Sequence, residues 1–271
     1  MIKIQKTNLV IDPSPWPLST AFSVYIMVIG FVASFHLYSN ANIFLLVGLF
    51  LFIAIFSLWI RDILRDAFIH RLVPILTGAL RRAFILFIVS EAMLFLAFFW
   101  AFFHSSLAPV YQIGSIWPPL AFSVFSPWGV PLVNTMLLLT SGATTTWVQY
   151  AIVAGDYDQV VYGFIATLVL SFLFLDLQVY EYVHASFGIS DGIYGSTFYL
   201  LTGFHGFHVL VGTIMLAISF IRFLLGQLSP KSYLGFTVAS WYWHFVDVVW
   251  ILLFLVVYIW GNAMSSNIVL F

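Results

Sequence analysis

Cysteine is missing from all 271 residues, which removes disulfides, thiolate metal sites and thiol catalysis together. Charge is nearly missing as well. Nine Lys and Arg stand against ten Asp and Glu, and charged residues make up 7% of the chain. That balance offers no basic surface for nucleic acid and too little polar surface to face water on all sides. The sequence also has no glycine-rich phosphate loop, no Ser-His-Asp order suited to a membrane and no internal repeat of the kind that marks many transporters. Its start, MIKIQKTNLVIDPSPWPLS, puts prolines and Trp16 where a cleavable signal needs an apolar core followed by small residues. The first helix is therefore expected to stay.

What the chain does have is apolar side chains: 63% of residues are hydrophobic and 30 are phenylalanine. This composition predicts an all-α, polytopic membrane protein. A helix needs about 20 apolar residues to cross about 30 Å of hydrocarbon. Seven candidate transmembrane helices meet that need, near 18–38, 42–60, 82–106, 131–154, 159–184, 195–224 and 234–261. They are separated by the turn-forming stretches YSNAN, APVYQIGSIWPP, SPWGVP, AGDYD, FGISDGIYG and GQLSPKSYLG.

Threading the chain through seven crossings puts every basic residue on one side. Lys3 and Lys6 precede the first helix, Arg61, Arg65, Arg71, Arg81 and Arg82 lie in or beside the second connection, and Arg222 and Lys231 flank the last. The positive-inside rule then sets the N-terminus inside and the C-terminus outside. An even number of helices would break this segregation. Trp16, Trp59, Trp117, Trp128 and Trp260 fall near proposed helix ends, where interfacial anchoring is expected.

A few polar residues interrupt the spans. Glu91, in FIVSEAMLFLAFFWAFFH, lies about 13 Å along the helix from Arg82, close to the midplane. It reads as a protonated or hydrogen-bonded acid tying two helices, as a proton-handling or lipid-contacting group, or as a metal ligand. His205 and His208, in GFHGFHVLVG, share a helix face. They could bind metal or heme, or bridge helices through hydrogen bonds. His244 and Asp247, in WYWHFVDVVW, again lie three apart, and Asp247 is expected to pair with His244 or with a histidine of helix six. Asp176 and Glu181 read as lying towards the outer end of helix five, with Glu181 reaching the interface. Arg65 and Arg222 sit at the inner boundary, either snorkelling to water or holding an anionic headgroup. From the residues alone, a proton pathway, a stand-alone proton or solute transporter and an accessory subunit all remain open.

Several stretches, in order along nearly the whole chain, resemble the subunit III family of cytochrome c oxidase. They are DPSPWPLS (12–19), WIRDILRDA (59–67), LFIVSEAMLFLAFFWAFFHSSLAP (86–109), WPP (117–119), PLVNTMLLLTSGATTTW (131–147), ISDGIYGSTFYLLTGFHGFHVLVGT (189–213) and WYWHFVDVVWILLF (241–254). The resemblance implies seven helices, with helices 1–2 separated from helices 3–7 by a lipid-filled V-shaped cleft. It divides the chain into an N-terminal segment with a two-helix bundle (1–70) and a five-helix bundle (71–271). It further implies a non-catalytic core subunit that packs on subunit I, supports its proton uptake and durability, and shelters phospholipids. Hemes and coppers then belong to partner subunits, and this chain holds no cofactor or metal of its own. Glu91 matches the family's intramembrane glutamate, Arg65 and Arg222 match basic residues at lipid headgroups, and His205, His208, His244 and Asp247 match its buried polar interior.

Three departures lie at the inner surface. Gln149 and Tyr150 stand where the family usually has a His-His pair, a single His70 followed by Arg71 stands where it has paired histidines after helix two, and SYLGFT replaces its His-His and Glu before helix seven. A surface proton-collecting role built on those histidines does not carry over. The wealth of Phe, Ile, Leu and Tyr with few Lys suits an A/T-rich organelle genome, so the expected location is the mitochondrial inner membrane with the N-terminus in the matrix. A bacterial plasma membrane is the alternative.

Overall fold

The computed structural model describes residues 14–69, 74–119, 122–230 and 233–262. Lys3, Lys6, His70, Arg71 and Lys231 lie outside the described residues. Among the described residues, seven long helices follow one another: α1 Trp16–Phe35, α2 Ala41–Ile69, α3 Pro74–Leu107, α4 Val130–Ala154, α5 Tyr157–Val183, α6 Ile193–Leu224 and α7 Leu234–Leu253, which continues as a π-helical segment Phe254–Trp260. Six of them contain stretches long and apolar enough to cross a membrane; α4 is the exception.

The helix ends follow local chemistry. Pro131 opens α4, where a missing N–H leaves nothing unsatisfied. Gly155 closes it in the left-handed region, at φ 75°. Asp156 then caps α5 by accepting from the Gln159 N–H at 3.2 Å. The result is an antiparallel turn only two residues long. α2 runs on to Ile69 and α3 begins at Pro74, where the sequence expectation ended at 60 and began at 82. The arginines there end the apolar run, but Arg is a good helix former and does not end the helix.

The chain divides into two compact units, Met1–Leu80 and Arg81–Phe271. In the first, α1 and α2 pack backbone to backbone. A Cβ on Gly30 would meet the backbone of Leu45, and one on Gly48 would meet the Met27 nitrogen at 2.5 Å. Small residues permit this approach where lipid supplies no hydrophobic drive between helices. Trp16 adds a polar tie, its indole N–H donating to Asp62 at 2.8 Å.

The second unit has an aromatic core. Phe102 from α3, Phe164 and Phe174 from α5, Phe198 from α6, and Phe236, Trp243 and Trp250 from α7 are all fully buried. Trp117 belongs to this core, against the expectation of an interfacial anchor. Its ring lies edge-on to Phe102 and Tyr194, with centroids 5.5 and 5.3 Å away. A tryptophan near a span end carries the same sequence signal whether it turns to the headgroups or to the bundle. Trp128 is exposed, as an anchor would be.

Candidate functional site

Two polar pairs join helices within the second unit, and another lies within α7 and reaches α4 through Thr146. The first lies beside the midpoint of the apolar stretch Thr77–Leu107 of α3. There Glu91 Oε2 sits 2.9 Å from His208 Nε2 on α6. The other ring nitrogen, Nδ1, is 2.7 Å from the carbonyl oxygen of Phe204. A carbonyl can only accept, so Nδ1 carries a hydrogen. One further proton must therefore lie between Nε2 and Oε2. Either an imidazolium faces a carboxylate, or a neutral imidazole accepts from a carboxylic acid. The pair is walled by Phe95, edge-on to the imidazole at 5.0 Å, and by Tyr242, stacked at 6.1 Å. His208 is nearly buried at 6% side-chain exposure, whereas Glu91 keeps 23%. The carboxyl thus remains open on one side.

His205 shares the helix with His208 but takes a different partner. It is fully buried, and its Nε2 lies 3.2 Å from the Val246 carbonyl of α7. Its ring packs against Trp250 and Phe174, with centroids 5.1 and 5.7 Å away. The shared face read from the spacing therefore splits between α3 and α7.

The second pair is on α7. Asp247 Oδ2 lies 3.7 Å from His244 Nδ1, beyond hydrogen-bond reach but within ion-pair range. His244 Nε2 approaches Thr146 Oγ1 of α4 at 3.3 Å. Space for the carboxylate comes from Gly142, where a Cβ would stand 2.5 Å from Asp247 Oδ2. Asp247 Oδ1 is buried with no hydrogen-bond partner among the described residues. Two indoles complete the α4–α7 contact: Trp243 donates to Ser141 and Trp250 to Thr135, each at 3.0 Å.

The third pair was not foreseen. Glu181 does not reach the interface; it is 1% exposed and accepts from the Tyr258 hydroxyl at 2.6 Å. Tyr258 lies in the π-helical segment, so this bond ties the end of α7 to α5. The one sequence signal was Gln178, three residues before Glu181 on the same helix face and also buried. Asp176, by contrast, is exposed.

Arg65 is exposed on α2, just past the apolar stretch that ends at Ile63. Arg222 is half-buried in the last turn of α6, its Nε donating to Gln227 at 3.2 Å. Gln149 and Tyr150 lie near the end of α4, Tyr150 exposed. Among the described residues, no three His, Asp or Glu side chains converge in a way that could hold a metal ion.

The pattern of the family described as Cytochrome c oxidase subunit III matches residues 7–262. This chain belongs to the cytochrome c oxidase subunit III family. Its relatives share about half of their residues with it. Cytochrome c oxidase subunit 3 of Marchantia polymorpha is 51% identical over 254 residues, covering 93% of this chain and 96% of that one. The proteins of the same name from Prototheca wickerhamii and Triticum aestivum are each 48% identical, covering 93% and 97% of this chain and 97% and 100% of their own. Subunit III membership makes the chain a membrane subunit of a respiratory-chain oxidase.

Proposed function

We propose that this chain is a non-catalytic core subunit of mitochondrial cytochrome c oxidase. It stabilises subunit I as its main contact, supports proton uptake there, and binds phospholipids in the cleft that the family resemblance implies, with hemes and coppers held by partner subunits. The observation that carries this reading is the family match over residues 7–262. The geometry supports it: the three polar pairs each tie two points of the bundle, and among the described residues no hydrogen bond joins one pair to another. A transporter needs a continuous polar route, whereas isolated ties suit a scaffold. Arg65 and Arg222, each at a helix's polar end, are suited to anionic headgroups.

In this reading α4 is the seventh crossing. Its 25 residues span about 37 Å. Its low hydropathy comes from Asn134, Ser141 and Thr145, which are buried, while Val133, Met136, Leu139 and Trp147 face outward. The outward side is mostly apolar, and its exposed Thr140 turns its hydroxyl back onto the Met136 carbonyl. Seven crossings, with the basic residues on one side, put the N-terminus in the matrix and the C-terminus in the intermembrane space.

The test is what accompanies the chain out of the membrane in mild detergent. Copurification with a heme- and copper-containing oxidase is expected. A lone protein that moves protons or solute in vesicles would overturn the proposal.

A further inference from the structure

No lysine or arginine occurs between Arg82 and Arg222, a stretch that contains all of α4 and α5. Within it, Asp176 stands exposed on α5 and makes no hydrogen bond or ion pair among the described residues. The helix has 27 residues, centred on Leu170. With Leu170 at the midplane, Asp176 would lie about 9 Å from the centre of a membrane whose apolar half-thickness is about 15 Å. Its carboxyl is inside hydrocarbon depth. The exposed side chains along the same face are Val169, Phe172, Leu173, Val179, Tyr180 and Val183, an apolar stripe with one acid in it.

Lipid is a poor cover for that acid. Acyl chains offer no donor, and a carboxylate on a single methylene cannot snorkel to the boundary as a long Lys or Arg can. Among the described residues, no Lys, Arg or His forms an ion pair with it. α6 runs antiparallel to α5, so Arg222 is at the opposite end, about 30 Å away along the axis. His184, one turn beyond Tyr180, engages the Tyr180 carbonyl through Nδ1 at 2.9 Å.

We propose that the α5 stripe centred on Asp176 is the docking surface for a membrane-spanning segment of another oxidase subunit, one that brings a lysine or arginine to the Asp176 carboxylate. The apolar side chains on either side supply the packing, and the acid fixes the register along the helix. A long basic side chain is the complementary group: its stem is apolar and its head forms a charge-assisted bond. This inference rests on the chain working within the oxidase. Its failure is separable from failure of that reading, because the oxidase would still copurify.

The intact oxidase in its native lipid decides the matter. A structure of the complex should show a Lys or Arg nitrogen of another subunit within about 4 Å of the Asp176 carboxylate. Acyl chains, a headgroup amine or water in that place would overturn the proposal. A second measurement uses subunit composition on native gels. Asp176→Leu should lose the neighbouring subunit under detergent conditions in which the parent keeps it, and Asp176→Glu should retain it. If Asp176→Leu keeps every subunit and resists detergent as well as the parent or better, the acid faces lipid and the proposal is wrong.

Discussion

Tyr258 and Glu181 are 77 residues apart in sequence and 2.6 Å apart in space. Their bond is the polar lock between the end of α7 and α5. Tyr258→Phe keeps the ring but strands a buried carboxyl, which should destabilise the bundle by about 1–3 kcal/mol. The heat-induced release of this chain from the assembled oxidase measures it. Tyr258→Phe combined with Glu181→Leu should recover much of the loss, since removing both partners leaves nothing unsatisfied. A double variant as weak as the single one would refute the lock.

Glu91→Gln tests the role of the proton shared with His208. Glutamine offers an N–H to a neutral imidazole or an oxygen to an imidazolium, so the α3–α6 tie survives either way. The initial proton-to-electron ratio of the oxidase should stay at the parental value. A bulky apolar replacement at the same position should instead lower phospholipid content and shorten the working life of the complex during turnover. An immediate fall in pumping by Glu91→Gln with normal lipid content would make the carboxyl a proton carrier.

At the α4–α7 contact, Gly142→Ala and Asp247→Ala should differ in severity. The loose 3.7 Å pairing of Asp247 with His244 means that Asp247→Ala should cost about 1 kcal/mol or less. Gly142→Ala drives a methyl into the Asp247 carboxylate and should cost about 1–3 kcal/mol. Detergent-induced dissociation of the two variants ranks them. The reverse order would show that the ion pair outweighs the packing.

In the first unit, Gly30→Ala should separate α1 from α2. The added methyl would meet the backbone of Leu45, and backbone cannot rotate away as a side chain can. Cysteines placed across the α1–α2 contact should cross-link in the parent and fail to do so in Gly30→Ala. Undiminished cross-linking would refute the close approach.

The sequence made the helices legible and left their partners mostly hidden. Turn chemistry such as AGDYD marked the α4–α5 turn to within a residue or two. Hydropathy missed the extra turns of α2 and α3 because charge ends an apolar run without ending helical backbone. Turn chemistry and the one-sided basic residues, which an odd number of crossings preserves, placed α4 among the crossings where mean hydropathy does not, since an average over residues cannot show which side of the helix they occupy. For the site, spacing within one helix marked His244 with Asp247, but the face it gave to His205 and His208 splits between α7 and α3. It could not show that Glu91 would meet His208, 117 residues away, because that contact depends on how α3 and α6 pack. Glu181 was misread for the same reason. A lone carboxyl near a helix end looks alike in sequence whether it ends in water or against a phenol.

The reciprocal glycines of α1 and α2 also carry a meaning for how this gene can change. Where two backbones touch, the exposed apolar positions of those helices, such as Phe22, Phe31, Phe44 and Phe50, need only stay greasy. Glycine, however, is spelled only by codons that begin with GG. Mutational drift towards A and T can therefore rewrite nearly every lipid-facing codon of the pair among Phe, Ile, Leu and Tyr, while selection must hold the Gly30 and Gly48 codons against it.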